Sequence, residues 1–302
     1  MAREELLDLI QRHARTDGVA RPPFEGVQLF KLTTAVKRIP AVYPASVCVV
    51  LQGTKRAYFG GKTHVYGENS LMCCTMPLPI EAEVRRASPE KPVLGVLLSL
   101  ETPTMMETLG ALEALGRHEP PPASAGVVPG LVVAECDAAL LLTILRLLEL
   151  LDDPLAARLL TKARLQELYF ALVRGSVGHL IRGTFGASRD LGRALALLRK
   201  NLRQPLTVDE LAREAGMSRA VFHRKFKAAT SLSPLQFVKA LRLNDAASLI
   251  AGGMNISEAA VEVGYSSPSQ FSREFSRKYG VPPRQWANEA LGRSAGIPNV
   301  PR

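Results

Sequence analysis

A pattern of caps, small residues and aromatics occurs twice in the last third of the chain. Thr207, Glu210, Ala212 and Gly216 recur 48 residues later as Asn255, Glu258, Ala260 and Gly264. Ser218, Phe222, Arg224 and Phe226 recur 49 residues later as Ser267, Phe271, Arg273 and Phe275, and Pro234 then matches Pro283. Thr207 with Glu210, and Asn255 with Glu258, have the spacing of a capping box, which starts a helix by satisfying its first free amides. Ala212 and Ala260 are small enough for a second helix to cross closely. Gly216 and Gly264 suit the sharp turn that follows, where a Cβ would clash. Each Phe pair lies four apart and shares one helix face, so Arg224 and Arg273 lie off that face and point outwards. The repeat predicts two helix-turn-helix units with second helices near 218–228 and 267–278. The stretch Leu235 to Ile250 is a helix-compatible connector, about 24 Å long at the standard rise. It would hold two recognition helices for successive major-groove segments, roughly one DNA turn (~34 Å) apart.

Charge follows the repeat. The 302 residues carry a net charge of +10, and residues 191–302 alone hold 17 Lys and Arg against 8 Asp and Glu, or +9. Such asymmetry favours an anionic polymer or a membrane surface as partner, although a solvated basic face is the simpler reading of charge alone. The longest apolar stretch, Ala138–Leu145, is too short to span a bilayer, so no membrane is expected. Met1–Ile10 mixes Arg, Glu and Asp with apolar residues and does not read as a signal peptide. Cys48, Cys73, Cys74 and Cys136 form neither a disulfide framework nor a CxxC zinc pattern. The expectation is a reduced, cytoplasmic, nucleoid-associated protein.

Upstream the texture is different. Residues 1–20 read as a short amphipathic helix. Residues 21–118 read as a small antiparallel β domain, with apolar runs at Ala45–Leu51, Arg56–Phe59, Thr63–Tyr66, Leu71–Met76 and Val93–Leu100. Gly60-Gly61 supplies the positive φ angles of a tight hairpin turn, and Pro77, Pro79, Pro89 and Pro92 separate later strands. Glu119–Gly130, with four prolines, reads as a loop. Asp137 to about Leu180 has a helical period, and residues 131–182 are expected to be a helical linker and dimerisation segment. Ile181–Ser188 is the expected linker, 190–290 the DNA-binding domain and 291–302 a flexible tail.

From about Leu197 to Trp286 the sequence resembles the AraC/XylS family of bacterial regulators. The resemblance is carried by LTVDELAREAGMSRAVFHRKFK, SPLQFVKALRLNDAASLI and ISEAAVEVGYSSPSQFSREFSRKYGVPPRQW. Residues 40–100 resemble the N-terminal domain of one AraC-type subgroup, in YPASVCVVLQGTKRAYFGGKTHVYG and ASPEKPVLG. Ser231 departs from the pattern, which usually has Gly after the first recognition helix, and predicts a slightly costlier C-cap. The implied fold class is α+β: a small antiparallel, cupin-like β domain with a helical segment, followed by an all-α tandem helix-turn-helix domain. The implied function is a sequence-specific DNA-binding transcription regulator, leaning towards activation. Its implied partners are double-stranded promoter DNA, RNA polymerase, a small-molecule effector and a second copy of the chain.

The resemblance places base-reading side chains at Ala220, His223 and Arg224 in the first unit, and at Pro268, Ser269, Ser272 and Arg273 in the second. Arginine can donate two parallel hydrogen bonds to guanine, so specificity is expected chiefly from Arg224 and Arg273. Arg219, Lys225, Lys227, Arg277 and Lys278 are expected to touch phosphates, giving affinity and salt dependence. Lys239 and Arg242 on the connector are expected to be structural.

The sequence offers no Ser-His-Asp set, phosphate loop or GxGxxG pattern. His64 and Glu68 invite a metal reading that a lone strand His does not sustain. No enzyme, cofactor or metal is therefore expected. The alternatives are a cupin-type enzyme with an accessory DNA-binding tail, and a non-specific nucleoid-associated protein. Cys73 and Cys74, adjacent on a strand, point to opposite faces, so at most one faces an internal pocket. A thiol sensing electrophiles or oxidants is one reading of them. A small buried strand residue is the reading favoured, because cysteine is so often buried.

Overall fold

Short apolar runs build two antiparallel sheets. The computed structural model describes residues 2–23, 26–100, 102–114, 130–187, 189–204 and 206–291. Six strands, β1 (Gly18–Ala20), β2 (Val27–Leu32), β4 (Ser46–Gln52), β7 (Ser70–Cys74), β9 (Val93–Ser99) and β10 (Leu131–Glu135), pair in the order β1-β2-β9-β4-β7-β10. A second sheet of β3 (Val36–Tyr43), β5 (Thr54–Phe59), β6 (Lys62–Gly67) and β8 (Leu78–Val84) has the order β3-β8-β5-β6. β4 and β9 are buried almost throughout, on both faces, while β5 alternates. Gly60 and Gly61 close the β5–β6 hairpin with φ of 59° and 76°. Phe30, Cys48, Val50, Met72 and Leu97 of the larger sheet share a core with Ala57, Tyr66, Ile80 and Ala82 of the smaller one. The other face of the larger sheet, with Leu29, Val49, Cys73 and Val96, packs on helices. Those are α1 (Ala2–His13), α2 (Thr102–Ala114), α3 (Ala138–Leu148), α4 (Pro154–Arg174) and α5 (Gly178–Ile181).

Two boundaries differ from the sequence reading. Residues 131–182 open with a strand and not a helix: β10 pairs with β7 from Leu131↔Cys74 to Glu135↔Ser70. It covers an edge that would otherwise present a row of free amides and carbonyls. The helical period begins only at α3, where Asp137 caps the amide of Leu140. The expected linker Ile181–Ser188 is helical in its described part. Residues 182–187 continue α5 as a π-helix, and Ile181 and Phe185 are buried in the helical layer. Ser188, most of the Glu119–Gly130 loop and the tail beyond Leu291 lie outside the described residues.

The C-terminal part is all helix: α6 (Arg189–Lys200), α7 (Val208–Glu214), α8 (Arg219–Thr230), α9 (Pro234–Ala251), α10 (Ile256–Glu262), α11 (Pro268–Tyr279) and α12 (Pro283–Leu291). Thr207 and Glu210 form the full capping box of α7. Asn255 caps α10 by accepting from the Ser257 amide, one position nearer than the spacing with Glu258 predicts. Ser218 and Ser267 cap the two recognition helices, and Ser233 with Gln236 forms a capping box on α9. Ser231 ends α8 in the left-handed region at φ 58°, the conformation Gly280 takes after α11.

The three bodies are packed together. Leu211, Phe222 and Phe226 of the first helix-turn-helix unit, with Phe237 of α9, belong to the same core cluster as the space between the sheets. The second unit has its own core around Phe271, Phe275 and Trp286. The Gly130 amide donates to the Ala229 carbonyl at 2.6 Å, joining the β domain to α8. In the second unit Lys278 of α11 donates to the Ala240 carbonyl of α9 at 3.3 Å. Burial pushes its ammonium down from the ordinary 10.5 to about 8, with Glu81 and Arg38 of the β domain as its charged neighbours.

Two predictions follow from these contacts. Gly216 and Gly264 both have positive φ, but a Cβ on Gly216 would meet only an Arg193 guanidinium nitrogen at an ordinary 3.9 Å, whereas one on Gly264 would lie 2.6 Å from the Arg203 carbonyl oxygen. Gly216→Ala should cost only the left-handed strain, about 1 kcal/mol. Gly264→Ala should lower the thermal midpoint at least twice as far, and equal shifts would contradict the packing. Lys278 gives up its proton in the folded chain at lower pH than in the unfolded chain. Between about pH 8 and 10.5 the unfolded state therefore binds more protons, and native stability rises with pH. Chemical denaturation of wild type against Lys278→Met should shift in favour of wild type from pH 7 to pH 10; a constant difference would mean the amine is not buried.

Candidate nucleic-acid interface

Each recognition helix uses its aromatic face for the core and turns a polar face outwards. In α8 the buried residues are Phe222, Phe226, Ala229 and Thr230. The Phe222 and Phe226 rings lie 5.3 Å apart, and Phe237 meets Phe226 edge-on at 5.2 Å. That packing leaves Ala220, His223, Arg224 and Lys227 exposed on one face, at the i, i+3, i+4 and i+7 spacing that lines a helix side. In α11 Phe271 and Phe275 are buried 5.4 Å apart. Pro268, Ser269 and Arg273 are exposed and Ser272 is half-buried. The structure thus presents all of these base-reading candidates on outward faces, with Ser272 the most withdrawn. Ser269 shares a 3.0 Å contact with the cap Ser267, so its hydroxyl is engaged within the turn.

The two arginines differ from Arg219 and Lys278, whose charged groups are engaged within the chain. No ion pair among the described residues holds Arg224 or Arg273. Lys225, Lys227 and Arg277 are exposed as well. Arg219 is exposed but lies 3.3 Å from Asp209 at the start of α7. Lys278 parts from the rest: its amine is turned into the α9 contact described above, away from a phosphate-facing rim. Its spacing from Arg277 gave no sign of this, because the cover comes from β3 and β8, far away in sequence.

The connector residues are structural. Arg242 donates to the Leu202, Gln204 and Gly264 carbonyls at 2.8, 2.9 and 3.2 Å. Those carbonyls belong to the segment before α7 and the turn of the second unit, so one guanidinium ties both units to α9. Lys239 pairs with Glu274 at 2.8 Å, and Tyr265 donates to the same carboxylate. Arg203 pairs with Glu262 of α10.

Cys73 and Cys74 are both fully buried, as the favoured reading of them expects. Cys73 lies in the helix-facing core and Cys74 in the core between the sheets, on opposite faces as strand geometry requires. Burial pushes Cys73 up to about 12 and Cys74 well above its usual value, which disfavours the reactive thiolate. Sequence reading passed over Lys55, which is only 2% exposed. Its amine lies 3.7 Å from the Cys48 sulfur and 4.3 Å from the centre of the Phe30 ring. Tyr66 also donates to Cys48, at 3.8 Å, and the buried Tyr43 hydroxyl has no hydrogen-bond partner among the described residues. The available signal was alternation: Lys55 precedes the inward-facing Ala57 and Phe59 of β5 at a period of two. Among the described residues no group of three or more His, Cys, Asp or Glu is arranged to hold a metal, and no helix is long and apolar enough to cross a membrane.

Comparison with known proteins agrees with this arrangement. Residues 23–180 match the family model of the AraC-type transcriptional regulator N-terminus, and residues 211–289 match that of a helix-turn-helix domain. The HTH-type transcriptional regulator ArgR of Pseudomonas aeruginosa is 33% identical over 117 residues, 38% of this chain and 36% of that protein. The virulence regulon transcriptional activator VirF of Yersinia enterocolitica is 32% identical over 132 residues, 42% of this chain and 48% of that protein. The chain thus spans about a third to a half of the length of these curated relatives. The crystal structure of ToxT from Vibrio cholerae O395 bound to (E)-4-(8-methylnaphthalen-1-yl)but-3-enoic acid superposes with a TM-score of 0.56. That match covers 87% of this chain and 98% of ToxT at 9% identity, a likeness of fold. The N-terminal family model alone covers more than half of the sequence, and the chain belongs to the AraC-type transcriptional regulators.

Proposed function

We propose that this chain is a sequence-specific DNA-binding regulator that places α8 and α11 in successive major-groove segments of promoter DNA. The observation that carries the reading is the pair of exposed arginines, Arg224 and Arg273, in no ion pair among the described residues and at matching places on two recognition helices. Both helices are fixed from behind by buried phenylalanines, so the outward faces are preorganised. Guanine readout by each arginine is worth about 1–3 kcal/mol. Lys225, Lys227 and Arg277 add phosphate contacts, with Arg219 doing so where it exchanges Asp209 for a phosphate. The regulator acts in the cytoplasm by positioning RNA polymerase, as an activator.

The β domain is the effector-binding part in this reading. A buried lysine with no carboxylate beside it among the described residues, sharing Cys48 as a neighbour with the unpartnered Tyr43 hydroxyl, supports a small-molecule ligand with an anionic group. Dimerisation is supported by α4, where Leu155, Leu159 and Phe170 are 69%, 71% and 47% exposed. Large apolar side chains exposed along one helix mark an interaction surface.

Selection of bound fragments from a genomic DNA library should recover a motif with two sub-sites about one helical turn apart. Arg224→Ala should relax one sub-site and Arg273→Ala the other, each by roughly 1–3 kcal/mol. Lys227→Ala should instead weaken all sequences alike and reduce the salt slope by about 0.9. Recovery of no motif, with uniform loss in both arginine variants, would leave a non-specific nucleoid protein. Separately, Leu155→Glu with Leu159→Glu should convert a dimer to monomer in sedimentation without changing the circular dichroism; an unchanged sedimentation coefficient would move the dimer contact elsewhere.

A further inference from the structure

Asn244 is fully buried in the middle of α9, at 0% exposure, among residues that are otherwise apolar. A buried carboxamide carries two donors and an acceptor that need partners. Its amide nitrogen donates to the Ala41 carbonyl at 3.0 Å and the Ile80 carbonyl at 3.4 Å. Ala41 and Ile80 are a cross-strand pair of β3 and β8, so one side chain grips both strands at one rung. Its oxygen accepts from the Tyr279 hydroxyl at 2.8 Å, at the C-terminal end of α11. Three bodies therefore meet at one carboxamide: the β domain, the connector helix and the second recognition helix. Nothing in the apolar packing demands a polar residue here, since a leucine would fill a similar volume.

The contacts around it run the same way. Lys278, next to Tyr279, donates to Ala240 of α9 and faces the Arg38–Glu81 pair of the β domain, which is closed at 2.5 Å. Arg38 in turn lies over the Tyr58 ring at 3.9 Å. On the other side of the chain the first unit is held to the β domain by the Gly130–Ala229 hydrogen bond. It is also held by the close approach of Ser231 to Gly60, where an added Cβ would lie 2.7 Å away. The two helix-turn-helix units are thus docked on the β domain at separate places. The first is docked through a continuous apolar core, and the second through a directional polar contact.

We propose that Asn244 is a positioning residue for DNA readout: through it the β3–β8 rung fixes where α11 stands relative to α8, and so sets the spacing between sub-sites that the protein accepts. The proposal rests on the tandem reading above. A hydrogen-bonded clamp suits this task better than an apolar one, because its geometry is directional and it has one satisfied arrangement. Any change in the β domain that shifts β3 against β8 reaches α11 through this contact.

The test uses the full chain and a set of duplexes in which both recovered sub-sites are kept and the distance between them is changed by one or two base pairs. Wild type should bind its preferred spacing at least tenfold more tightly than a one-base-pair insertion. Asn244→Leu should still recognise both sub-site sequences but discriminate between spacings less than threefold. Tyr279→Phe, which removes one hydroxyl and keeps the ring packing, should lose part of the discrimination. Unchanged spacing preference in a folded Asn244→Leu protein would overturn the proposal. So would complete loss of the second sub-site motif, which would make Asn244 a residue that merely holds the second unit together. If wild type itself recovers no motif, the tandem reading has failed, a result distinct from either of these.

Discussion

A helix running through the middle of a protein must satisfy every polar group it brings with it, and α9 does so with partners from both ends of the chain. Arg242 satisfies three carbonyls that no regular ladder reaches, Lys239 meets Glu274, and Asn244 meets both the β domain and Tyr279. An unsatisfied buried donor costs about 1–3 kcal/mol, so the surrounding segments cannot drift from these positions cheaply. The orientation of both recognition helices is therefore a property of the assembled chain, with their own turns supplying only part of it. The outward faces can then be purely polar, because the fixing is done from behind.

Local chemistry made the helix-turn-helix units legible. Caps at Thr207, Ser218 and Ser267, turns at Gly216 and Gly264, and the Phe pairs are short-range requirements that any reader of the sequence can apply. The hairpin at Gly60-Gly61 and the strands around it are legible for the same reason. β3 and β8 were harder, because Pro40 and Pro79 interrupt their pattern. Pro40 lies on an edge strand, and Pro79 lies beyond the stretch of β8 that pairs with β5, so a missing amide is tolerated at each. β10 was hidden by its position beyond a proline-rich loop, and its role as the outer partner of β7 is fixed by the sheet and not by its own five residues.

The candidate site divides along the same line. Arg224 and Arg273 follow from the repeat, since helix period decides which way they face. Lys278 does not, because the strands that bury it are some two hundred residues away and sequence spacing carries no record of them. Asn244 is illegible for a related reason, since a polar residue reads as surface until the structure shows it enclosed, whereas the alternation of β5 does carry a trace of Lys55. Of the polar side chains at core positions, Asn244 stands where the β domain, α9 and α11 meet, and Lys55 is an interior charge of the β domain.

The shared core of the sheets and the first helix-turn-helix unit bears on how such a regulator can change over time. Leu211, Phe222 and Phe226 complete their burial beside residues of the β domain. A first unit taken from another regulator would arrive without side chains shaped to that space, and a β domain moved to a new partner would expose what α6–α8 now cover. Recombination between family members at the junction before α6 is therefore penalised by packing, whatever the match of effector to promoter. The second unit, with a core of its own, can be exchanged or retuned without rebuilding that shared core, provided the newcomer keeps the groups that meet α9, Tyr279 and Glu274 among them.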